Sequence, residues 1–218
     1  CKQGYIATIR SSIMSFYQWL VNEDLLEKNP CAAISPIKTK KEIRNPLSQT
    51  ELDKLRFSCS NVKIRAIVEL LLSSGARIAE ATNLEITDID FEKRKVHIRN
   101  GKGGKDRYTY ISEIAAEYLK KYISTRKKGS QYILCTDQYG TKMKPDGVRF
   151  LLKKLGSAAG VENVHPHRFR RTLATTLAKR GMPIQKIQKL LGHADISVTM
   201  RYVSIDDAEV ANAYEMCA

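Results

Sequence analysis

The sequence predicts a mainly helical protein with one small three-stranded antiparallel sheet, an α+β fold. Two observations carry this prediction. Apolar residues recur at helical spacing through most of the chain, and the period changes to strand-like alternation only between residues 86 and 111. A third observation concerns organisation: residues 35–47, SPIKTKKEIRNPL, are rich in proline and cations and have no periodicity, which indicates a linker between two units.

The first predicted helix spans residues 5–26. Its apolar residues, from Ile6 to Val21, recur at the spacing that gives a helix one buried stripe. Asn29-Pro30 stops the pattern, because a residue that precedes proline is disfavoured in the helical region. Helices of this kind occur in any bundle, so this one carries no functional information.

A second unit begins at Ser48, which has the capping-box spacing S-x-x-E with Glu51. A mostly apolar helix is predicted at residues 62–73 and is broken by Ser73-Ser74-Gly75. Another helix is predicted from Ala76 to about Leu84.

Three short strands are predicted next, at residues 86–91, 95–99 and 107–111. The glycine-rich segment NGKGGKD, residues 100–106, joins the last two strands as a hairpin loop. Helical patterns return afterwards, at residues 113–127, 145–156, 167–180, 183–191, 195–203 and 206–216.

The net charge of +14 indicates a polyanionic partner, either nucleic acid or an anionic membrane surface. No window approaches the run of about 18 apolar residues that a spanning helix needs, so we expect nucleic acid and no membrane. The five cysteines include no C-x-x-C pair, which argues against a zinc site or a disulfide framework and for reduced thiols in a cytoplasmic protein. Because the chain starts at Cys1 inside a helical pattern, we expect the natural protein to extend further in the N-terminal direction.

Four places combine residues that carry chemistry. Each has an ordinary explanation when it is taken alone: a surface arginine, a solvated turn, a chance H-x-x-R spacing, or a helix end. They are Arg77 in GARIAE, Lys102 in the hairpin loop, His167 with Arg170, and Leu191-Gly192-His193 followed by Tyr202.

Taken in this order, the four places resemble the tyrosine recombinases, the phage integrase family. The matching segments are SSGARIAEATNL (73–84), GKGGKDR (101–107), HPHRFRRTLAT (165–175) and LLGHADISVTMRYV (190–203). The order and spacing are most similar to the integrases of conjugative transposons and to Xer-type recombinases. The resemblance implies the family's catalytic fold, with residues 1–34 as the end of a helical core-binding domain, 35–47 as a basic linker, and 48–218 as the catalytic domain with a C-terminal helix.

The resemblance also implies a role for each residue. Tyr202 is the expected nucleophile, which forms a 3′-phosphotyrosine. Arg77 and Arg170 are expected to bind the scissile phosphate, and Lys102 to protonate the leaving 5′ oxygen. The two histidines complete the expected set, His167 as an acid or base and His193 as a hydrogen-bond donor to the phosphate.

These residue types suit the chemistry. Tyrosine is a poor nucleophile at neutral pH, and a pocket of cations favours its phenolate and stabilises the crowded phosphate. Arginine suits the phosphate because its planar fork meets two oxygens at once. The sequence shows no carboxylate cluster for Mg²⁺ and no G-x-x-x-x-G-K-[ST] loop, so we expect neither a metal nor a nucleotide cofactor.

The expected partner is double-stranded DNA at recombination sites. The expected assembly is a homotetramer on paired sites with the C-terminal helix packed on a neighbouring protomer, and an accessory DNA-bending or excision factor is a further possible partner. The expected biological use is integration and excision of a mobile element. Residues expected to contact DNA outside the catalytic set are Lys38, Lys40, Lys41, Arg44, Lys105, Arg168 and Arg171.

Some positions depart from the family pattern, and other functions stay open. Arg171 stands where the family often has histidine, and Ala76 stands where it usually has leucine. His165 and Tyr214 are minor candidates for a direct role. The alternative functions are a chromosome-dimer-resolving recombinase, a catalytically silent DNA-binding relative, a type IB topoisomerase and a generic basic nucleic-acid binder.

Overall fold

The computed structural model describes residues 3–37, 45–99, 106–126 and 129–192. The chain divides into two compact units, Cys1–Arg44 and Asn45–Ala218. In the described ranges, no helix is both long and apolar enough to cross a bilayer. The helices there are α1 (Gln3–Asn22), α2 (Gln49–Phe57), α3 (Val62–Ser74), α4 (Ile78–Asn83), α5 (Glu113–Ser124), α6 (Pro145–Ala159), α7 (Pro166–Lys179) and α8 (Ile184–Leu191). The strands are β1 (Ile89–Asp90), β2 (Lys95–Ile98) and β3 (Arg107–Tyr110).

The first unit is built around α1, which confirms the predicted N-terminal helix but ends earlier than predicted. Asp24 adopts a left-handed φ of 56°, which turns the chain out of the helix. The following segment folds back along α1: the Asn29 side-chain amide donates to the Met14 carbonyl oxygen at 3.2 Å, and Arg10 Nε donates to the Ile34 carbonyl oxygen at 3.0 Å.

The second unit starts with the predicted capping box. The Glu51 amide donates to Ser48 Oγ at 3.2 Å, and the Glu51 carboxylate accepts from the Ser48 amide at 2.8 Å. These two bonds satisfy amides that the first turn of α2 leaves without helical partners.

Helix α3 lies at the centre of the second unit and packs against α5 and α7. Its residues from Ala66 to Leu71 are all buried, so it is apolar on nearly every side, as the sequence predicted. Glu69 is the charged residue in that run, and its carboxylate is paired with Arg56 and Arg65.

The sheet has the order β1-β2-β3, and both pairings are antiparallel. The prediction of a strand at 86–91 was wrong in part, because Ile86–Asp88 forms a 3₁₀ turn and only Ile89–Asp90 pairs as a strand. The Asp88 carboxylate accepts from the Glu85 amide at 2.9 Å, and this side-chain bond closes a turn where the apolar pattern indicated a strand.

The helices predicted after the sheet are confirmed as far as residue 192, with shifted boundaries. Helix α6 continues to Ala159 and ends where Gly160 adopts a left-handed φ of 62°. Helix α7 begins at Pro166, whose fixed φ suits the first helical position. Residues 100–105 of the predicted hairpin loop and the helices predicted at 195–203 and 206–216 lie outside the described residues.

Candidate active site

Gly75 ends α3 at a point where three helices meet. Its φ of 59° is left-handed, which favours glycine. A Cβ at this position would lie 2.6 Å from Leu191 Cδ2 and 2.8 Å from Leu173 Cδ2. The residue therefore has to be glycine for two reasons, and its small size lets α3 approach α7 and α8.

Arg77 is the residue that precedes α4, and its backbone is extended. The Glu80 carboxylate holds it twice: Oε2 accepts from the Arg77 amide at 2.7 Å, and Oε1 accepts from Nη1 at 2.8 Å. Its other terminal nitrogen, Nη2, donates to the Gly192 carbonyl oxygen at 2.7 Å. These contacts fix the guanidinium, whose side chain keeps 24% of its surface exposed.

His167 and Arg170 lie on the first turns of α7, close to one face because they are three residues apart. Arg170 is almost fully buried, with 3% of its surface exposed. Its Nη1 donates to the Gly75 carbonyl oxygen at 2.6 Å, and its Nη2 donates to the Leu191 carbonyl oxygen. Charged groups are rarely buried unless they are hydrogen-bonded, and these two carbonyls meet that need.

The C-terminal end of α8 is the place where these contacts converge. Arg107 Nε donates to the Leu190 carbonyl oxygen at 3.2 Å, so three guanidinium groups bind three successive carbonyls, those of Leu190, Leu191 and Gly192. Carbonyls at a helix C-terminus lack helical partners and carry the negative end of the helix dipole, which favours cations. The next residue in the chain is His193.

The electrostatics of the site favour a neutral His167. Partial burial lowers the pKa of its imidazole below the usual value, and nearby positive charges lower it further. In order of size, those charges are on Arg170, Arg149, Arg77 and Arg171. A neutral imidazole is the form that accepts a proton.

Glu80 has the opposite shift. Burial alone would raise the pKa of its carboxyl, but hydrogen bonds and charge from Arg107 and Arg77 outweigh burial and lower the pKa to about 2. The carboxylate is therefore ionised throughout the neutral range and holds both arginines.

Of the six predicted catalytic residues, the structure places Arg77 and Arg170 at the C-terminal end of α8, and His167 lies three residues before Arg170 on α7. The other three, Lys102, His193 and Tyr202, lie outside the described residues. So do Lys38, Lys40, Lys41, Arg44 and Lys105 of the predicted DNA contacts. His165, the residue before α7, has its ring centroid 6.4 Å from that of His167.

Arg168 and Arg171 are the predicted DNA contacts that the structure describes. Arg168 Nη2 lies 2.7 Å from a Glu51 carboxylate oxygen, and Nη1 donates to the Glu162 carbonyl oxygen at 2.7 Å. With 12% of its side chain exposed, Arg168 braces α7 against the start of α2. Arg171 is half-buried on α7, and its charge acts on His167.

Sequence reasoning missed two residues of this site, Glu80 and Arg107. The signal for Glu80 was present, since R-x-x-E is the spacing at which a glutamate reaches back to the amide that precedes a helix. Arg107 ends the matching segment GKGGKDR, but nothing local indicated its contacts, because its partners lie 27 and 83 residues away in sequence.

Within the described ranges, no three or more histidine, cysteine, aspartate or glutamate side chains group together at a metal-binding distance. The positive charge described at the end of α8 is that of the Arg77, Arg107 and Arg170 guanidinium groups. Guanidinium groups held in place by protein bonds need no rearrangement as negative charge develops on a bound phosphate, which is the arrangement that stabilises a phosphoryl-transfer transition state.

Known proteins resemble the chain over this region and beyond. A model of the phage integrase family matches residues 51–209. Tyrosine recombinase XerA of Pyrococcus horikoshii is 37% identical over 224 residues, covering 98% of this chain and 75% of that protein. Tyrosine recombinase XerD of Oceanobacillus iheyensis is 32% identical over 216 residues, covering 94% of this chain and 72% of that protein.

Two solved structures extend the comparison to the fold. The crystal structure of XerA recombinase has a TM-score of 0.71 and 25% identity, and the match covers 95% of this chain and 82% of that one. The Tn1549 transposon integrase in complex with transposon right end DNA shares the fold, with a TM-score of 0.75 at 21% identity over 98% of this chain and 79% of that one. Because the family model spans most of the chain and the similarity to XerA covers nearly all of it, this chain belongs to the phage integrase family and is a tyrosine recombinase.

Proposed function

We propose that this recombinase cuts and rejoins double-stranded DNA through a covalent bond to Tyr202, with Arg77 and Arg170 binding the scissile phosphate. The observation that carries the proposal is the convergence of these two arginines on successive carbonyls, those of Gly192 and Leu191, directly before His193. Two cations fixed side by side at a helix end suit an anionic phosphate better than any neutral ligand.

In the proposed step, the Tyr202 oxygen attacks the scissile phosphorus and its proton passes to His167. The bond from phosphorus to the 5′ oxygen breaks, and Lys102 donates a proton to that oxygen. His193 hydrogen-bonds the phosphate. The products are a 3′-phosphotyrosine ester and a 5′ hydroxyl.

The reverse reaction completes strand transfer. The 5′ hydroxyl of a partner strand attacks the phosphotyrosine, a new phosphodiester forms, and Tyr202 takes back its proton. Each attack exchanges one phosphate ester for another, so the energy of the phosphodiester bond is held in the phosphotyrosine ester. Strand transfer therefore needs no hydrolysis of a nucleotide cofactor. The lowered pKa of His167 supports its part as the first proton acceptor.

We also propose the finer features of this function. The basic linker and Lys105 contact phosphates, the active assembly is a tetramer on paired sites in the cytoplasm, and the C-terminal helix packs on a neighbouring protomer. Residues 1–34 form the end of a core-binding domain. Cations at the linker suit a backbone contact, since each phosphate neutralised releases condensed counterions.

The proposed biological use is integration and excision of a mobile element. Its support is the order and spacing of the four sequence segments, which resemble conjugative-transposon integrases. The second candidate is chromosome-dimer resolution, which the similarity to recombinases of the Xer type favours. Circular junctions of the DNA that flanks the gene, present with the wild-type chain and missing with Tyr202→Phe, would support the first use over the second.

The chemical proposal is tested with a nicked duplex that traps the covalent complex. The DNA comes from the region that flanks the gene, and the products are run on a denaturing gel. We expect an adduct with the wild-type chain and with Tyr214→Phe, and none with Tyr202→Phe. An adduct with Tyr202→Phe contradicts the assignment, and a duplex that is shifted on a native gel without any adduct favours a catalytically silent relative.

A further inference from the structure

Arg107, the first residue of β3, forms a two-point ion pair with Glu80. Its Nη1 lies 2.8 Å from Oε1 and its Nη2 lies 2.7 Å from Oε2, and only 10% of its side chain is exposed. This fork-to-fork geometry fixes the direction of the carboxylate as well as its position.

The Glu80 carboxylate, held in place by Arg107, in turn binds Arg77. The oxygen that accepts from Arg107 Nη1, Oε1, also accepts from Arg77 Nη1 at 2.8 Å, and the other oxygen accepts from the Arg77 amide at 2.7 Å. Any shift of the carboxylate therefore shifts the Arg77 guanidinium and the backbone that carries it.

Arg107 holds the second anchor of Arg77 as well. Its Nε donates to the Leu190 carbonyl oxygen, and a Cβ on Gly192 would lie only 2.8 Å from Arg107 Cδ. The Gly192 backbone therefore rests against the Arg107 side chain. The Gly192 carbonyl oxygen in turn accepts from Arg77 Nη2.

We propose that Arg107 is a positioning residue for strand cleavage, which aligns the Arg77 guanidinium by fixing both of its anchors, the Glu80 carboxylate and the end of α8. This inference rests on the proposed function, in which Arg77 binds the scissile phosphate. The described hydrogen bonds of the Arg107 side chain go to Glu80 and Leu190, so Arg107 acts on Arg77 through these two residues.

The competing explanation is an ion pair that only stabilises the fold. The chain offers a matched control in the pair of Arg56 with Glu69, where Nε and Nη2 lie 2.8 and 3.0 Å from the two carboxylate oxygens. The Glu69 side chain is 2% exposed and the Arg56 side chain 24%. This pair has the same two-point form, but its described hydrogen bonds do not reach α8.

The experiment compares Arg107→Lys with Arg56→Lys in the full chain. Lysine keeps the charge but presents one ammonium group in place of the fork. Three quantities are measured: the midpoint of urea unfolding, the affinity for the nicked duplex, and the single-turnover cleavage rate at saturating DNA. We expect both variants to lose similar stability and to keep DNA affinity within a few-fold, while only Arg107→Lys loses cleavage rate, by about a hundredfold.

A second readout does not depend on cleavage. The side-chain Nε–H signal of Arg77 in an NMR spectrum should move in Arg107→Lys and stay in place in Arg56→Lys. Equal cleavage rates in the two variants, or an Arg77 signal that does not move, would overturn the inference. If the wild-type chain forms no adduct, the proposed function fails, and the Arg77 signal alone decides whether Arg107 positions Arg77.

A rescue experiment separates lost positioning of Arg77 from lost stability of the fold. Arg107→Ala leaves space beside the Glu80 carboxylate, and added methylguanidinium should restore part of the cleavage rate there, with no such gain in Arg56→Ala. If methylguanidinium changed the cleavage rates of the two alanine variants equally, Arg107 would only stabilise the fold through its ion pair, and the inference would be wrong.

Discussion

The buried guanidinium of Arg170 donates to the Gly75 carbonyl oxygen at 2.6 Å and so joins α7 to the end of α3, 95 residues earlier in the chain. A Cβ on Gly75 would also lie within 3 Å of Leu173 Cδ2 and Leu191 Cδ2. Gly75 thus lies where three helices approach each other, and its carbonyl oxygen holds Arg170, which is expected to bind the phosphate. Substitution of Gly75 should therefore affect both the stability of the protein and the cleavage rate.

Gly75→Ala should destabilise the domain more than the same change at Gly160. Both glycines have left-handed φ values, 59° and 62°, so alanine costs about 1–2 kcal/mol of backbone strain at either site. Only at Gly75 would the new Cβ meet side chains, 2.6 Å from Leu191 Cδ2, whereas nothing lies within 4 Å at Gly160. Overpacking adds about 1–3 kcal/mol.

Urea unfolding of the two variants measures the difference directly. Gly75→Ala should also lower the cleavage rate, since the ends of the Leu191 and Leu173 side chains have to shift to admit the methyl group, and both residues lie on helices that carry the site. Equal free energies of unfolding for the two variants would show that the close approach at Gly75 is not present in solution.

Glu80→Gln should destabilise the protein near neutral pH, and its deficit relative to wild type should shrink in acid. The folded-state pKa of Glu80 is lowered from 4.5 to about 2, so the ionised carboxylate stabilises the fold above the unfolded value and this contribution is lost as pH falls from 4.5 towards 2. Chemical denaturation at a series of pH values follows the difference. A deficit that stays constant from neutral pH down to pH 3 would contradict the role of the carboxylate charge.

His167 should titrate below the usual histidine pKa of 6.5, because burial and neighbouring cations both disfavour its protonated form. Arg149→Gln removes one of those cations from α6 and should raise the midpoint of the His167 titration followed by NMR. Lys153→Gln, a similar loss of charge one helical turn further along α6, is the control and should have a smaller effect. A midpoint that responds equally to both changes would point to a general loss of charge in place of a local contact.

Arg168→Gln should lower stability and leave the salt dependence of DNA binding unchanged. The Arg168 guanidinium is already bonded to Glu51 and to the Glu162 carbonyl, so we expect it to make no phosphate contact. Loss of a true phosphate contact lowers the slope of log K against log salt by about one. Arg171→Gln is the comparison, since a phosphate contact for Arg171 stays our prediction; a reduced slope for Arg168→Gln would restore Arg168 as a DNA contact.

The parts of the fold that follow from local rules were predictable from the sequence. The capping-box spacing of Ser48 and Glu51 correctly predicted the start of α2, and Gly75 after Ser74 correctly predicted the end of α3. Local rules failed at Asp88, whose side chain accepts a backbone hydrogen bond and closes a turn inside a strand-like pattern.

The site itself was predictable only where a residue carries a family motif. The segments that resemble the family indicated Arg77, His167 and Arg170, and the structure places Arg77 and Arg170 at the end of α8. Arg107 lies in one of the matching segments, but its contacts could not be predicted, because only the folded chain brings it to Glu80 and Leu190. Arg168 makes a contact that its local sequence did not indicate, since a carboxylate 117 residues away accepts its hydrogen bond.

The central claim, that this recombinase forms a covalent bond to DNA through Tyr202, is tested most directly by mapping the bond. The wild-type chain is trapped on the nicked duplex, both components are digested, and the peptide that carries a nucleotide is sequenced by mass spectrometry. We predict one modified residue, Tyr202, joined to a 3′ phosphate. A nucleotide on Tyr214 or another residue, or a bond to a 5′ phosphate, would contradict it.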